Sequence, residues 1–337
     1  MKQDRHALIA HFGSLRSTLA LLVLLAAVVL GGSVSGNAFG VGVALVIALL
    51  SLNLLAALVV HPAFRRQLPL LVAHLALLAL VLLAGFGRLA ALDGRFELTQ
   101  GVPFDGQLIE QHAGALHPGT LPGLQFRHDG FDIDYAPGRK RGPTRNRVTW
   151  IGADGRPQSA TIGDHKPLVL DGYRIYTSPN KGFAPVLRWV PTQGAPVAGA
   201  VHLPSYPMHE LRQSREWPLP DGRSAWVMLQ FDEQLLDPQA AASFRLPKDH
   251  RLVLRLGEQR FELAPGEGAA IAGGTIVYDG LRTWMGYRVA YDPTLPWLLA
   301  AALLAALSLG WHYLRKFGAA PRALPLVQGA RAGVIDG

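Results

Sequence analysis

The chain has 337 residues, of which 50% are apolar and 17% are charged, whereas soluble domains usually carry about a quarter charged residues. Its basic excess lies at the two ends, because residues 1–92 hold six Lys/Arg and one acid, residues 294–337 hold four and one, and residues 93–293 hold 22 of each. Positive charge beside hydrophobic runs argues against nucleic-acid binding, and the absence of cysteine excludes disulfides, thiolate nucleophiles, Cys-ligated metals and thioether-linked haem.

Four uncharged apolar runs are long enough to cross a bilayer, which takes about 20 residues per helix. Three lie near the N terminus, at about 17–34, 41–60 and 68–87, and one lies within 294–316. We therefore expect an integral membrane protein with four transmembrane α-helices, three of them in an N-terminal membrane domain of residues 1–92. The first run also resembles a signal peptide, but a retained helix is favoured because the second run follows after a few residues.

Basic residues near the ends of these runs predict the orientation of the chain. They fall on one side of the membrane if the N terminus is cytoplasmic, with the exception of Arg88, which lies at the opposite interface where its side chain can extend to the head groups. The clusters are Lys2, Arg5 and Arg16, then Arg65 and Arg66, and finally Arg315, Lys316 and Arg322. This places the protein in the cytoplasmic (inner) membrane as a multi-pass protein with both termini inside, residues 93–293 outside, and residues 317–337 as a cytoplasmic tail.

Between residues 93 and 293 the long apolar runs are replaced by segments in which apolar and polar residues alternate with a period of two. Phe131–Tyr135 alternates apolar and polar side chains, as a half-buried strand does. Arg147–Ile151 and Gln158–Ile162 flank Asp154-Gly155, which predicts a hairpin. The pattern predicts a large all-β extracytoplasmic domain, with short helices at 207–213 and 238–243.

The chain carries no nucleotide-binding glycine loop, no His-Glu-x-x-His and no Gly-x-Ser-x-Gly, so no enzyme of known chemistry is visible. Histidine is the only residue type that could ligate a cofactor and is also present in some number, with twelve in the chain. His74 lies inside the third run, where an ionisable side chain is costly. It either ligates haem iron or donates a hydrogen bond to a neighbouring helix. His61 and His312, near the predicted cytoplasmic ends, are explained by residence at the interface.

The remaining polar features of the outer domain have ordinary explanations. Its histidines are expected at the surface or at strand ends, and no metal-ligand spacing is present apart from a loose His112/His117 pair. The basic run 139–147 would attract haem propionates or anionic head groups, or would be a solvated turn.

The layout of the chain resembles the ResB-like (CcsB) proteins of system II cytochrome c-type biogenesis. The resemblance covers roughly residues 14–317 and is carried by diffuse stretches of sequence. These are 121–126 with 131–135, 167–176, and Val289-Ala-Tyr-Asp-Pro293, which leads into the last run. The outer domain is short for the family, and no tryptophan-rich loop occurs.

The resemblance implies a subunit of a haem delivery and ligation complex that presents haem to apocytochrome c outside the cytoplasmic membrane. It implies that His74 is a transmembrane ligand of haem b, held transiently and shared with a CcsA-type polytopic partner. Membrane lipid is a further partner. We expect a non-enzymatic assembly subunit, with any haem lyase activity belonging to the complex. The alternative is a cofactor-free, membrane-anchored scaffold domain of another respiratory or transport complex.

Overall fold

The computed structural model describes residues 9–32, 38–118, 121, 124–208, 211–219 and 222–318. The chain divides into two compact units. We call residues 1–88 with 294–337 the helical unit, and Leu89–Pro293 the β unit. The predicted tail from residue 319 onward lies outside the described residues.

The helical unit contains three helices that are long and apolar enough to cross a membrane. They lie in α2 (Ala38–Val60), α4 (Leu68–Ala90) and α5 (Leu295–Phe317), and a five-residue helix α3 (Pro62–Arg66) joins the first two. Helix α1 (Leu15–Gly32) has 18 residues and is apolar but shorter. The expectation of four spans is therefore supported for three of them, and residues 33–37 after α1 lie outside the described part.

Helices α1 and α2 are joined by buried polar contacts as well as apolar packing. Asn53 of α2 is 2% exposed, and its side-chain amide donates to the carbonyl of Phe12. Its Oδ1 accepts a hydrogen bond of 2.7 Å from the hydroxyl of Thr18. A Cβ at Gly13 would lie 2.7 Å from the backbone nitrogen of Ala57, so the close approach requires glycine here.

The β unit is built from antiparallel strands in four sheets. A seven-stranded sheet has the order β10-β9-β17-β1-β2, with β16 added to β17 and β8 added to β9; the others have the orders β11-β12-β14-β15, β13-β4-β5 and β3-β6-β7. The strands are β1 Leu92–Thr99, β2 Glu110–Ala113, β3 Phe126–Asp132, β4 Asp134–Ala136, β5 Lys140–Arg141, β6 Arg145–Ile151, β7 Pro157–Ile162, β8 Leu168–Leu170, β9 Tyr173–Pro191, β10 Val197–Ala200, β11 Ser214–Pro218, β12 Ser224–Gln230, β13 Ala242–Ser243, β14 Arg251–Leu256, β15 Gln259–Leu263, β16 Gly268–Ile271 and β17 Gly274–Tyr291.

Two long strands dominate the seven-stranded sheet. Strand β17 has 18 residues and β9 has 19, and they pair from Gly274 opposite Pro191 to Ala290 opposite Arg174. The other edge of β17 pairs with β1, with Leu92 opposite Tyr291. The register of β9 and β17 shifts after Tyr278 and after Met285. At each shift the regular pairing is interrupted, as it is at a β-bulge.

All four sheets contribute to one hydrophobic core. Phe96 belongs to the seven-stranded sheet, Leu252 to the four-stranded sheet, and Tyr135 and Val148 to the two three-stranded sheets, and all four are buried in the same cluster. A neutral segment of about 200 residues can therefore bury a substantial core without a disulfide.

The predicted all-β domain is confirmed, and so is its hairpin, in which Ile151 of β6 lies opposite Pro157 of β7. The short helix predicted at 238–243 is wrong, because this segment forms a turn that leads into strand β13. The other predicted short helix, 207–213, overlaps residues 209 and 210, which lie outside the described part.

Replacing Phe96 by Ala tests whether the shared core stabilises the β unit. Its ring is 2% exposed, is stacked on Tyr287 at 5.1 Å and lies 4.3 Å from Phe104. Loss of a buried aromatic ring leaves a cavity, so the unfolding free energy of a fragment covering 89–293 should fall by about 3–5 kcal/mol in urea titrations. Ile151→Ala, at a side chain that is 63% exposed, should change it by less than about 0.5 kcal/mol. Equal effects of the two variants would contradict the assigned core.

Candidate functional site

His74 lies in the second turn of α4, on a helix otherwise apolar from Leu68 to Phe86 apart from small residues. Pro69 in the first turn costs no helical hydrogen bond, because the first amides of a helix have no partner within it. The imidazole is half-buried, while its neighbours Ala73 and Ala76 are 4% and 2% exposed.

The hydrogen bond of His74 determines which ring nitrogen carries the proton. Nδ1 lies 2.8 Å from the carbonyl oxygen of Leu70, one helical turn earlier. A carbonyl oxygen only accepts, so Nδ1 donates, which leaves Nε2 as the nitrogen that would bear the lone pair of an uncharged imidazole. Among the described residues no hydrogen-bond partner of Nε2 is found. Metal-binding histidines almost always donate from their other nitrogen, so this arrangement is compatible with ligation through Nε2.

An aromatic contact also positions the imidazole. The ring of Phe64, on α3, meets His74 edge-on with 4.8 Å between the ring centroids. The predicted alternative, a hydrogen bond from His74 to a neighbouring helix, is not what the structure shows, because Leu70 belongs to the same helix. The side chain is thus oriented by its own backbone and one aromatic ring.

The two other predicted interfacial histidines have different surroundings. The Nε2 of His61 lies 3.1 Å from the carbonyl of Gly13, which connects the start of α3 to the residues before α1. His312, near the end of α5, lines a cleft with Arg66, Arg315 and Lys316.

In the β unit, His202 takes part in a contact that sequence reasoning missed. Its Nδ1 donates to the carboxylate of Glu97 over 2.8 Å, and its Nε2 accepts from the hydroxyl of Thr99 over 2.9 Å. The ring stacks on Trp284 at 5.1 Å. Although a hydroxyl, an imidazole and a carboxylate in line can activate a nucleophile, Thr99 is 6% exposed. The arrangement therefore serves to join His202 to strand β1.

His128 is completely buried and is held by a second polar network. Its Nδ1 accepts from the side-chain amide of Asn146 at 2.7 Å, and Asn146 in turn accepts from the hydroxyl of Tyr287 at 2.8 Å. The proton of the neutral ring is then on Nε2, which is buried and has no partner among the described residues. Burial lowers the pKa of His128 to about 4, because charging the ring would cost its hydration.

The other outer histidines form no metal site. His112 is exposed on β2, whereas His117 bonds the hydroxyl of Tyr173 at 2.9 Å. His165 is exposed, and His209 lies outside the described residues. In the part of the chain that the structure describes, no three His, Asp or Glu side chains are grouped so that they would hold a metal ion.

The basic run 139–147 is largely neutralised by acids within the β unit. Arg141 bonds both carboxylate oxygens of Asp164, at 2.9 and 3.0 Å. Arg145 bonds Asp134 at 2.8 Å, and Arg147 bonds the carboxylate of Asp132. These three cations are occupied, which favours the interpretation as a paired surface segment over that of an anion site.

A cavity of about 770 Å³ lies beside strands β1, β9 and β17. Its two cations are also paired, Arg288 with Asp93 and Arg95 with Glu110 at 3.5 Å. The cavity therefore has mixed polarity but offers neither of these charges to a ligand without breaking an ion pair.

Comparison with known proteins does not identify a family. The chain matches none of the family models against which it was compared, and no curated protein matches it at a significant level. The resemblance to ResB-like proteins therefore stays a prediction from the sequence. His74 and His61 each face a backbone carbonyl with one ring nitrogen, so in both the other nitrogen has no hydrogen-bond partner among the described residues. Of the two, His74 is the one that lies within a membrane-length apolar helix.

The burial of His128 predicts a pH dependence of stability. In the unfolded chain His128 has its ordinary pKa of 6.5, whereas in the native state its pKa is about 4. Between these two values the unfolded chain is protonated at His128 and the native state is not. The unfolding free energy should fall by about 1.4 kcal/mol per pH unit down to pH 4, roughly 3 kcal/mol in total.

Urea titrations of the 89–293 fragment between pH 7 and pH 4 measure this slope. His128→Gln should flatten it, whereas His165→Gln, at an exposed position, should leave it unchanged. An identical slope in His128→Gln and the unmodified fragment would show that the acid sensitivity comes from other groups.

Proposed function

We propose that this chain is a ResB-like subunit of system II cytochrome c-type biogenesis. It acts in the cytoplasmic membrane with a CcsA-type polytopic partner, and the β unit lies outside the cytoplasm, where apocytochrome c is met. Three features support the proposal: the membrane-length helices, the multi-sheet β unit between α4 and α5, and the placement of basic residues near the helix ends.

The proposed topology includes α1 as a fourth span. An 18-residue apolar helix is within the range that crosses a bilayer, and its contacts with α2 pair it with a membrane-length helix. An even number of crossings keeps both termini in the cytoplasm. Phe64, between α2 and α4, then also lies inside, and residues 93–293 lie outside.

The observation that carries the haem assignment is the lone pair on Nε2 of His74. The His74 imidazole lies inside an apolar helix with Nδ1 engaged by the Leu70 carbonyl, so it would hold haem iron through Nε2. Haem b would be the group that the complex presents to apocytochrome c. His74 would hold it from one side, and Phe64 would keep the imidazole from turning.

The resemblance implies that the haem site is shared, so a further haem ligand would come from the CcsA-type partner. Within this chain the ring of His61 contacts the same Phe64 ring as His74 does, at 6.5 Å between centroids. Since the chain has no cysteine, it takes no part in thiol chemistry at the apocytochrome. The proposed role is therefore to hold and present haem, and bond formation belongs to the complex.

Reporter fusions test the proposed topology. Fusions at Gly138 should behave as external, and fusions at Phe64 or after Lys316 should behave as cytoplasmic, because the basic clusters stay inside. Alkaline phosphatase and green fluorescent protein activities give opposite readouts at each position. A cytoplasmic signal at Gly138 would contradict the proposal, since a haem-presenting domain must lie outside.

His74→Ala tests the ligand. The complex purified with its partner should lose most of its haem or show a high-spin spectrum, and holocytochrome c should drop while the protein still enters the membrane. His74→Leu fills the space without ligating and should behave in the same way. Added imidazole should partly restore the Ala variant but not the Leu variant.

His312→Ala is the matched control, since it removes a histidine of the same unit without removing the proposed ligand. Normal haem spectra and cytochrome yield in both His74 variants would show that His74 is structural. If the wild-type complex also copurifies without haem, the cofactor-free scaffold is the better description.

A further inference from the structure

Three cationic side chains from distant parts of the sequence line one cleft in the helical unit. Arg66 ends α3, and Arg315 and Lys316 lie in the last turn of α5. His312 and Gln67 complete the polar lining, and two apolar residues at the start of α4 close the cleft, which has a volume of about 390 Å³. We call it the cationic cleft.

The described residues of the helical unit contain no acidic side chain that would neutralise the charge of the cationic cleft. No Asp or Glu occurs from Arg5 to Leu92 or from Thr294 to Ile335. Among the described residues, neither Arg66, Arg315 nor Lys316 forms an ion pair. The contrast with the basic run of the β unit is direct, because there each of Arg141, Arg145 and Arg147 has its own aspartate.

Like charges gathered around one cavity repel each other unless an anion lies between them. Arg presents a planar fork of N–H donors that matches phosphate oxygens, Lys adds a compact charge, and the Gln67 amide adds a neutral donor. The cleft is larger than one phosphate needs, and its apolar residues adjoin membrane-length helices. A phosphate that carries an apolar body fits this lining better than a bare ion does.

We propose that the cationic cleft binds the phosphate head group of an anionic phospholipid. Basic pockets between transmembrane helices on the cytoplasmic side are suited to such head groups. The inference rests on the membrane placement in the proposed function but is independent of haem and of His74. A bound lipid would hold α5 against the α3–α4 corner through contacts that the chain alone does not make.

Arg66→Gln tests the site against a neighbouring control. The full-length protein in neutral detergent is titrated with phosphatidylglycerol or with phosphatidylcholine, and lipid adducts are counted by native mass spectrometry. Phosphatidylglycerol should bind preferentially, and Arg66→Gln should weaken its binding about fivefold, as expected for one basic residue. Lys316→Gln is a second variant with the same expected effect.

Arg65→Gln is the matched control. It removes the same charge from the adjacent position of α3, but the Arg65 guanidinium donates to the carbonyl of Val59 at 2.9 Å and does not line the cleft. Binding should stay within about twofold of the wild type. Equal losses in Arg65→Gln and Arg66→Gln would overturn the proposal, because they would indicate attraction by net charge alone.

Two further measurements distinguish a lipid site from a site for soluble phosphate, and the failure of this inference from the failure of the proposed function. Displacement of phosphatidylglycerol by millimolar inorganic phosphate would assign the cleft to a soluble phosphate and overturn the lipid assignment. Membrane insertion is measured separately with the reporter fusions. If insertion is normal and lipid selectivity is absent in the wild type, the inference fails while the proposed function stands. If the wild-type complex carries no haem while Arg66→Gln loses lipid, the inference stands and the proposed function fails.

Discussion

The strand β17 is the element on which the β unit depends. Its 18 residues pair with β9 on one edge and with β1 and β16 on the other, so three parts of the chain that are far apart in sequence meet on it. Tyr278, Met285, Tyr287 and Val289 of this strand are all at most 1% exposed. The stability of the core and the position of the Tyr287 hydroxyl in the His128 network both follow from this one pairing.

Two histidines show how the same side chain acquires opposite chemistry in apolar surroundings. His128 uses Nδ1 as an acceptor from Asn146 and is left with a buried N–H that has no acceptor, which costs stability and disfavours protonation. His74 uses Nδ1 as a donor to Leu70 and is left with a lone pair. The first arrangement fixes a neutral ring inside a core, and the second leaves Nε2 without a hydrogen-bond partner among the described residues.

The features that were predicted correctly from the sequence depend on interactions between residues that are close together in the chain. Apolar runs gave the long helices because a helix satisfies its own backbone, and period-two alternation with Asp154-Gly155 gave the β6–β7 hairpin. The position of His74 in its helix was equally visible. Its tautomer was not, because this depends on which carbonyl the ring reaches.

Contacts between distant segments could not be found in this way. Glu97 and Thr99 are about a hundred residues from His202, and neither carries a motif that marks it as a partner. From the sequence, the basic run 139–147 could be interpreted as an anion site. Its counter-ions Asp132, Asp134 and Asp164 became apparent only when the strands were paired, and they argue against that interpretation. Arg66 and Arg315 were noted in the sequence only as orientation signals, and that they line one cleft became apparent when α3 and α5 were brought together.

The pairing of the first strand of the β unit with its last has a consequence for how the protein is made. Leu92 of β1 lies opposite Tyr291 of β17, so β1 leaves the ribosome long before its partner exists. At about 5–20 residues per second, synthesis of the intervening chain takes roughly 10–40 s. During this time the apolar face of β1 is without its native neighbour. The edge of β1 that faces β17 stays unpaired until residue 291 has been made, so the seven-stranded sheet is completed only at the end of the synthesis of the β unit.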